Sequence, residues 1–137
     1  MDMEQEIKAA GADKGPRITL ADIEANIASE WYFTAAQGCH GAMLAGVPTE
    51  LQPPIPTVHP LHLLTFCVLV LKNGTKIVGI NYGAISPELH SAAIGKSEAR
   101  KNAIDQVWPL LGFQLRTDLH GRAYSASGQS APGALAA

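Results

Sequence analysis

Apolar positions along the chain switch between two periods, and that switch is the first guide to its elements. Leu20, Ile23, Ile27 and Trp31 recur at three- and four-residue spacing, one stripe of an amphipathic helix. Thr19 with Asp22 three residues on is a variant of the capping box, and Asp22 and Glu24 place acid in the first turn. Gly38 is a plausible stop. From 38 to 60 no period survives. Five of the nine prolines fall there, Pro48, Pro53, Pro54, Pro56 and Pro60, so the stretch reads as a stiff, extended Pro-rich connector.

Residues 61–72, LHLLTFCVLVLK, are β-branched and aromatic in character. Asn73-Gly74 follows, and TKIVGINYGAI returns. An Asn-Gly pair between two such runs predicts a β-hairpin closed by a type I′ turn. A two-residue loop sets Lys72 opposite Thr75. One face would then carry Leu63, Thr65, Cys67, Leu69 and Leu71 with Val78, Ile80 and Tyr82. The other would carry Leu64, Phe66, Val68 and Val70 with Ile77, Gly79, Asn81 and Gly83. Both faces are oily, and a lone hairpin cannot leave both wet. A helix layer covers one. A second helix layer or a second subunit must meet the other, which points to a homo-oligomer.

Ser86-Pro87-Glu88 is a helix start: cap, proline at the first position, acid in the first turn. Leu89, Ala92, Ala99, Ala103, Ile104 and Val107 supply its buried stripe, and Pro109 ends or kinks it. Leu110, Leu111, Phe113 and Leu115 continue as a short helix or strand. Residues 1–17 mix charges with Gly11, Gly15 and Pro16, residues 121–137 are a tail of small residues, and both are expected to be flexible arms around one domain, 18–120. The fold expected is α+β: a central antiparallel hairpin packed by two or three helices, with flexible termini.

Composition narrows the function. The 137 residues are 47% hydrophobic and 16% charged, with a net charge of −2. That supports a core and argues against nonspecific binding to nucleic acid or anionic membrane. Cys39 and Cys67 are too few for a disulfide framework, so a reducing compartment is expected. The polar, acidic start leads to the expectation of no secretory signal. The apolar run near Leu61–Leu71 is shorter than the roughly 20 residues a membrane helix needs.

Candidate chemistry is sparse. SAAIGKS at 91–97 ends like a phosphate loop, but His90 stands where the first glycine belongs and the stretch sits inside a helical pattern. Lys96 and Arg100, four apart on one helix face, remain as a pair that could hold one anion. Cys39-His40 and His59-x-x-His62 are ligand types in awkward spacing, so no metal site and no cofactor are expected. Cys67 lies in an apolar strand, where thiols are inert packing groups. No G-x-S-x-G occurs, and no catalytic set is assigned. Gly79 and Gly83 flank Asn81 on the return strand, which lets a helix or a ligand approach the backbone. Asn81, Tyr82, Lys96 and Arg100 are therefore the expected ligand-binding residues. The Trp31-Tyr32-Phe33 cluster and Trp108 read as core and helix-end anchors.

Three blocks carry a resemblance: IEANIASEWYFTA, LLTFCVLVLKNG and GKSEARKNAIDQVWPLLGFQLR. Over about residues 18–119 the chain resembles the bacteriophage gene-product-49-like family, after gene 49 of coliphage N-four and gene 66 of a Shigella phage. The resemblance implies a phage or prophage accessory protein in the bacterial host cytoplasm, and it assigns no catalytic residue. Two functions from different classes are compatible with these residues. One is an oligomeric, non-enzymatic binder of a small anionic host signal, for instance a nucleotide signal of antiviral defence. The other is an interaction module that docks on a host protein through the Pro-rich connector and an oily hairpin face.

Overall fold

A computed structural model describes residues 15–48, 55–56, 59–84 and 91–126, with side chains through residue 123. In chain order the elements are α1 (Leu20–Asn26), β1 (Ile27–Thr34), α2 (Ala35–Leu44), a 3-10 turn (Pro60–His62), β2 (Thr65–Leu71), β3 (Lys76–Asn81) and α3 (Ala92–Ala126). The architecture is α+β: among the described residues, three helices and a three-stranded antiparallel sheet in the order β1-β2-β3. The chain divides into two compact units. Asn26–Gln106 holds the sheet, α2 and the first part of α3. The other unit takes Met1–Ala25 and Val107–Ala137. Its buried positions include Ile23, Val107 and Leu111.

Helix α1 starts as its signals predict. The Thr19 N–H donates to Asp22 Oδ2 at 2.8 Å and the Asp22 N–H donates to Thr19 Oγ1 at 3.2 Å. It ends at Asn26, not at Gly38. The expected stripe through Ile27 and Trp31 is overturned, because IASEWYFT is a strand. Its Ile, Trp, Tyr, Phe and Thr are residues that suit a pleated, half-buried surface. Long-range pairing with β2 decides the matter, running from Ile27↔Leu71 to Thr34↔Thr65 with a bulge between Ile27 and Ser29. The connector is corrected as well. Thr34 caps α2 with a complete capping box to Gln37, and the helix carries Gly38 inside it and runs to Leu44.

The hairpin is present, but its loop has three residues, Lys72-Asn73-Gly74, and the predicted register is off by one. The Leu71 N–H donates to Thr75 O at 2.8 Å, and the Gly74 N–H donates to Leu71 O at 2.9 Å. Gly74 is left-handed with φ +86°, and among the described residues none other than glycine has positive φ. A type I turn followed by a left-handed glycine bulge replaces the type I′ turn. The Asn73 side chain holds it by accepting from the Thr75 N–H at 3.0 Å. Leu71 now faces Thr75, and Cys67 pairs with Gly79, Leu69 with Ile77. A one-residue slip moves every side chain of one strand to the other face. Thr65, Cys67, Leu69, Leu71, Ile77 and Gly79 thus share a buried face. The opposite face carries Phe66, Val68, Val70, Val78 and Ile80, with Trp31 and Phe33 from β1. The expected pairing of oily faces is thereby resolved into one covered face and one partly open one among the described residues.

Helix α3 covers the first face. Ala99 and Ala103 are fully buried, and they sit on Gly79. A Cβ built on Gly79 would overlap Ala99 O and would lie 2.5 Å from Ala103 N and 2.7 Å from Ala103 Cβ. Small residues on both sides allow this backbone approach. Pro109 neither ends nor interrupts the element, which continues to Ala126. Leu110, Leu111, Phe113 and Leu115 are therefore helical. The Ser86-Pro87-Glu88 start and Leu89 lie outside the described residues. The described helix begins at Ala92, with Ser91 Oγ accepting from the Ile94 N–H at 3.3 Å. Ala92, expected in the buried stripe, is exposed. Of the expected arms, 1–17 and 121–137, residues 1–14 and 127–137 fall outside the described residues, whereas 121–126 continue α3 and are not a flexible tail.

Candidate functional site

The sheet's β3 edge is where helix and strand chemistry meet. Even-numbered residues of β3 aim their backbone groups away from β2. There the Ile80 N–H donates to Asn102 Oδ1 at 2.9 Å, and Gln106 Nε2 donates to Val78 O at 2.8 Å. Gln106 Nε2 also contacts Asn102 O at 3.3 Å and Asn102 Oδ1 at 3.4 Å. Two helix amides thus stand in for a fourth strand, an arrangement that blunts an edge. Sequence reasoning missed them. The signal available was the i, i+4 spacing of two carboxamides beside the Ala99/Ala103 stripe.

These contacts fix the direction of α3, which runs antiparallel to β3. Two residues past Ile80 along a strand is about 6.6 Å. The same distance is about four residues back along a helix from Asn102. Tyr82 therefore lies near the level of Glu98, at the end of the sheet toward which Lys96 projects the helix. Asn81 is half-buried, and its Oδ1 accepts from the Gly83 N–H at 3.0 Å. Gly83 is left-handed at φ +89°. A Cβ there would overlap Leu63 O and lie 2.7 Å from Leu63 Cβ. Tyr82 is 78% exposed, and Lys96 is exposed with no ion pair among the described residues.

Arg100 is placed differently. Its Nε donates to Glu30 Oε1 on β1 at 2.6 Å, with both side chains about a third exposed or less. The expected Lys96/Arg100 pair is therefore asymmetric, one cation projecting into solvent and the other held across the sheet by a carboxylate. The Tyr32 hydroxyl donates to the same Glu30 oxygen at 3.1 Å. Tyr32 stands opposite Cys67 across the strands. Burial, then the neighbouring Cys67 and Glu30, push the Tyr32 phenol well above its ordinary range. Burial likewise pushes the Cys67 thiol up, only partly offset by Tyr32 and Arg100. A thiol kept protonated and fully enclosed is a packing group, not a nucleophile.

Both groups bind their protons more tightly folded than unfolded, so they make the fold less stable in alkali. Their contribution is complete below the unfolded values, about 9.0 for the thiol and 10.0 for the phenol. It is lost as pH rises toward the folded values. Thermal unfolding followed from pH 7 to 11 is expected to show a falling midpoint from about pH 9. Cys67→Ala removes the first part of that fall. A midpoint that is flat to pH 11 contradicts the burial of both groups.

The other motifs have structural roles. Gly95-Lys96-Ser97 lies inside α3, so the strand-to-helix context of a phosphate loop is absent. His59 Nδ1 accepts from the Leu61 N–H at 3.2 Å, and His62 Nε2 lies 2.9 Å from Pro56 O. Among the described residues no three His, Cys, Asp or Glu side chains gather at a point. None of those residues forms a helix long and apolar enough to cross a membrane. A shallow depression on α3 is lined by Gly112, Leu115, Arg116, Leu119 and His120, and none of the four candidate residues contributes to it.

Fold and site define a small α+β protein in which a helix is strapped to the edge of an antiparallel sheet. The model of the Phage protein (N4 Gp49/phage Sf6 gene 66) family matches residues 18–119, and the chain belongs to that family. No curated protein and no solved structure matches it.

Proposed function

We propose that this phage accessory protein works in the host cytoplasm as a homo-oligomeric binder that sequesters a small anionic, nucleotide-like defence signal without turning it over. One observation carries the reading. The antiparallel course of α3 puts the exposed Lys96 at the same end of the sheet as the glycine-flanked Asn81 and the exposed Tyr82, which follows Val78 and Ile80 on the other face and joins Asn81 only around the strand end or across a subunit boundary. A ring face takes a base, and a cation takes a phosphate. Asn81 spends one acceptor on Gly83 and keeps its amide N–H groups for the ligand. Arg100, buttressed by Glu30, adds positive charge one turn along the helix from Lys96. Family membership supplies the phage context.

Native mass spectrometry of protein purified from phage-infected cells, with thermal shift across a cyclic-nucleotide panel, tests this. The expected results are a bound nucleotide mass and a stabilising shift. Lys96→Glu and Tyr82→Ala should each weaken binding about tenfold, roughly 1.4 kcal/mol. An empty protein with no shift anywhere on the panel overturns the proposal.

A second reading draws on the open sheet face, where Trp31 is 60% exposed and Val78 44%. On this reading the face and the Pro-rich connector inhibit a host bacterial protein. A stoichiometric partner from host lysate that is lost on deleting residues 45–58 supports it. Retention of no partner rejects it.

A further inference from the structure

The two edges of the sheet are treated unequally. The β3 edge is closed by Asn102 and Gln106. Beyond the bulge between Ile27 and Ser29, strand β1 pairs with β2 through its odd-numbered residues, so the backbone groups of Glu30 and Tyr32 point outward. Among the described residues no backbone bond reaches them. The stretch open in this way beyond the bulge, residues 29–34, is a template for another strand. The largest exposed side chain on it, Trp31, stands on the uncovered face.

We infer that β1 pairs antiparallel with β1 of a second copy, across a two-fold axis through Trp31, joining two sheets into one of six strands. Charge selects both occupant and register. Beyond the bulge only even-numbered residues offer outward backbone groups, so the axis passes through a residue and not between two. An axis at Glu30 would set two carboxylates directly opposite each other, which is unfavourable. Moving it one residue to Trp31 sets Glu30 against the partner's Tyr32 on the helix-covered face. The phenol already donates to a Glu30 carboxylate within one chain, so the pair is chemically matched. On the open face the two indoles meet at a non-hydrogen-bonded position, where side chains come closest. A self-complementary strand is what a two-fold interface requires. This interface gives the proposed homo-oligomer its contact, and it stands or falls apart from the ligand.

Light scattering of the full chain at tens of micromolar is the experiment. The expected mass is an even multiple of 14.4 kDa. Trp31→Lys, which opposes two ammonium groups on the axis, should halve it. Val78→Lys, on the same open face but on the closed-edge strand, should leave it intact. Trp31→Cys in a Cys39→Ser background should give a covalent dimer under mild oxidation, and this decides the matter if Trp31→Lys misfolds. A wild-type mass of one subunit overturns the inference, as does an assembly that ignores Trp31→Lys with no Trp31→Cys crosslink. Equal loss with Val78→Lys also overturns it, because the open faces would then be stacked. Every mass is measured without ligand, so a failure of nucleotide binding has no bearing on whether the strands pair.

Discussion

Replacing Gly79 with alanine is expected to cost about 3 kcal/mol of folding stability. The added methyl would occupy space held by Ala99 O, Ala103 N and Ala103 Cβ. Two of those atoms are helix backbone and cannot rotate away. Either α3 lifts off the sheet or β3 bends, and each exposes the buried face made by Cys67, Leu69 and Ile77. A lifted helix also stretches the bonds from Asn102 and Gln106 to β3. The thermal midpoint should fall by roughly 10 °C for a chain of this size. Gly112→Ala is the matched control. Nothing lies within 4 Å of a Cβ at Gly112, so relief of helix-interior glycine should stabilise by about 1 kcal/mol. A Gly79→Ala protein that melts with the wild type would mean that the helix does not rest on this strand.

The second large effect concerns association more than stability. Asn102→Ala with Gln106→Ala strips the two carboxamides that occupy β3's outward backbone groups. The loss of folding stability should be about 1–3 kcal/mol, because water can reach part of the vacated edge. The larger consequence is that Val78 and Ile80 then offer a bare ladder beside an apolar face. With β1 able to pair as well, both edges become templates and growth need not close. The double variant is expected to scatter light and bind thioflavin T within hours at concentrations where the wild type stays clear. If it remains as soluble and as small as the wild type, the carboxamides are not what protects the edge.

The hairpin is the most legible part of the fold, because Asn73-Gly74 and the flanking β-branched runs are local signals. What they do not give is loop length. Asn-Gly serves either a two-residue turn, with both residues left-handed, or a three-residue loop with only Gly74 left-handed. The choice reverses the facing of one strand against the other, and so displaces the predicted faces. Strand β1 is hidden for another reason. Leu20, Ile23, Ile27 and Trp31 fit a helix stripe, and neither face of IASEWYFT is cleanly apolar. Only pairing with a strand distant in sequence makes it β. The Thr34-to-Gln37 capping box is visible in the sequence and marks the next helix, which places the break upstream of Gly38.

The candidate site is legible residue by residue but not as an arrangement. Asn81 and Tyr82 are found through the glycines beside them, and Lys96 and Arg100 through helical spacing. That Glu30 holds Arg100 depends on β1 lying across the sheet, which no local pattern reports. The same holds for Asn102 and Gln106, whose polar spacing reads as an ordinary solvated helix face until a strand edge lies beneath it.

The order β1-β2-β3 has a consequence for the time course of self-assembly. Strands β2 and β3 are joined by three residues and can zip within microseconds. Strand β1 waits for its chain to loop back through residues 35–64 before it meets the same neighbour. Pairing across that larger sequence separation is therefore the step expected to be slow in refolding. The hairpin closed by Asn73-Gly74 is thus the part of the sheet positioned to form first and to receive β1 afterwards.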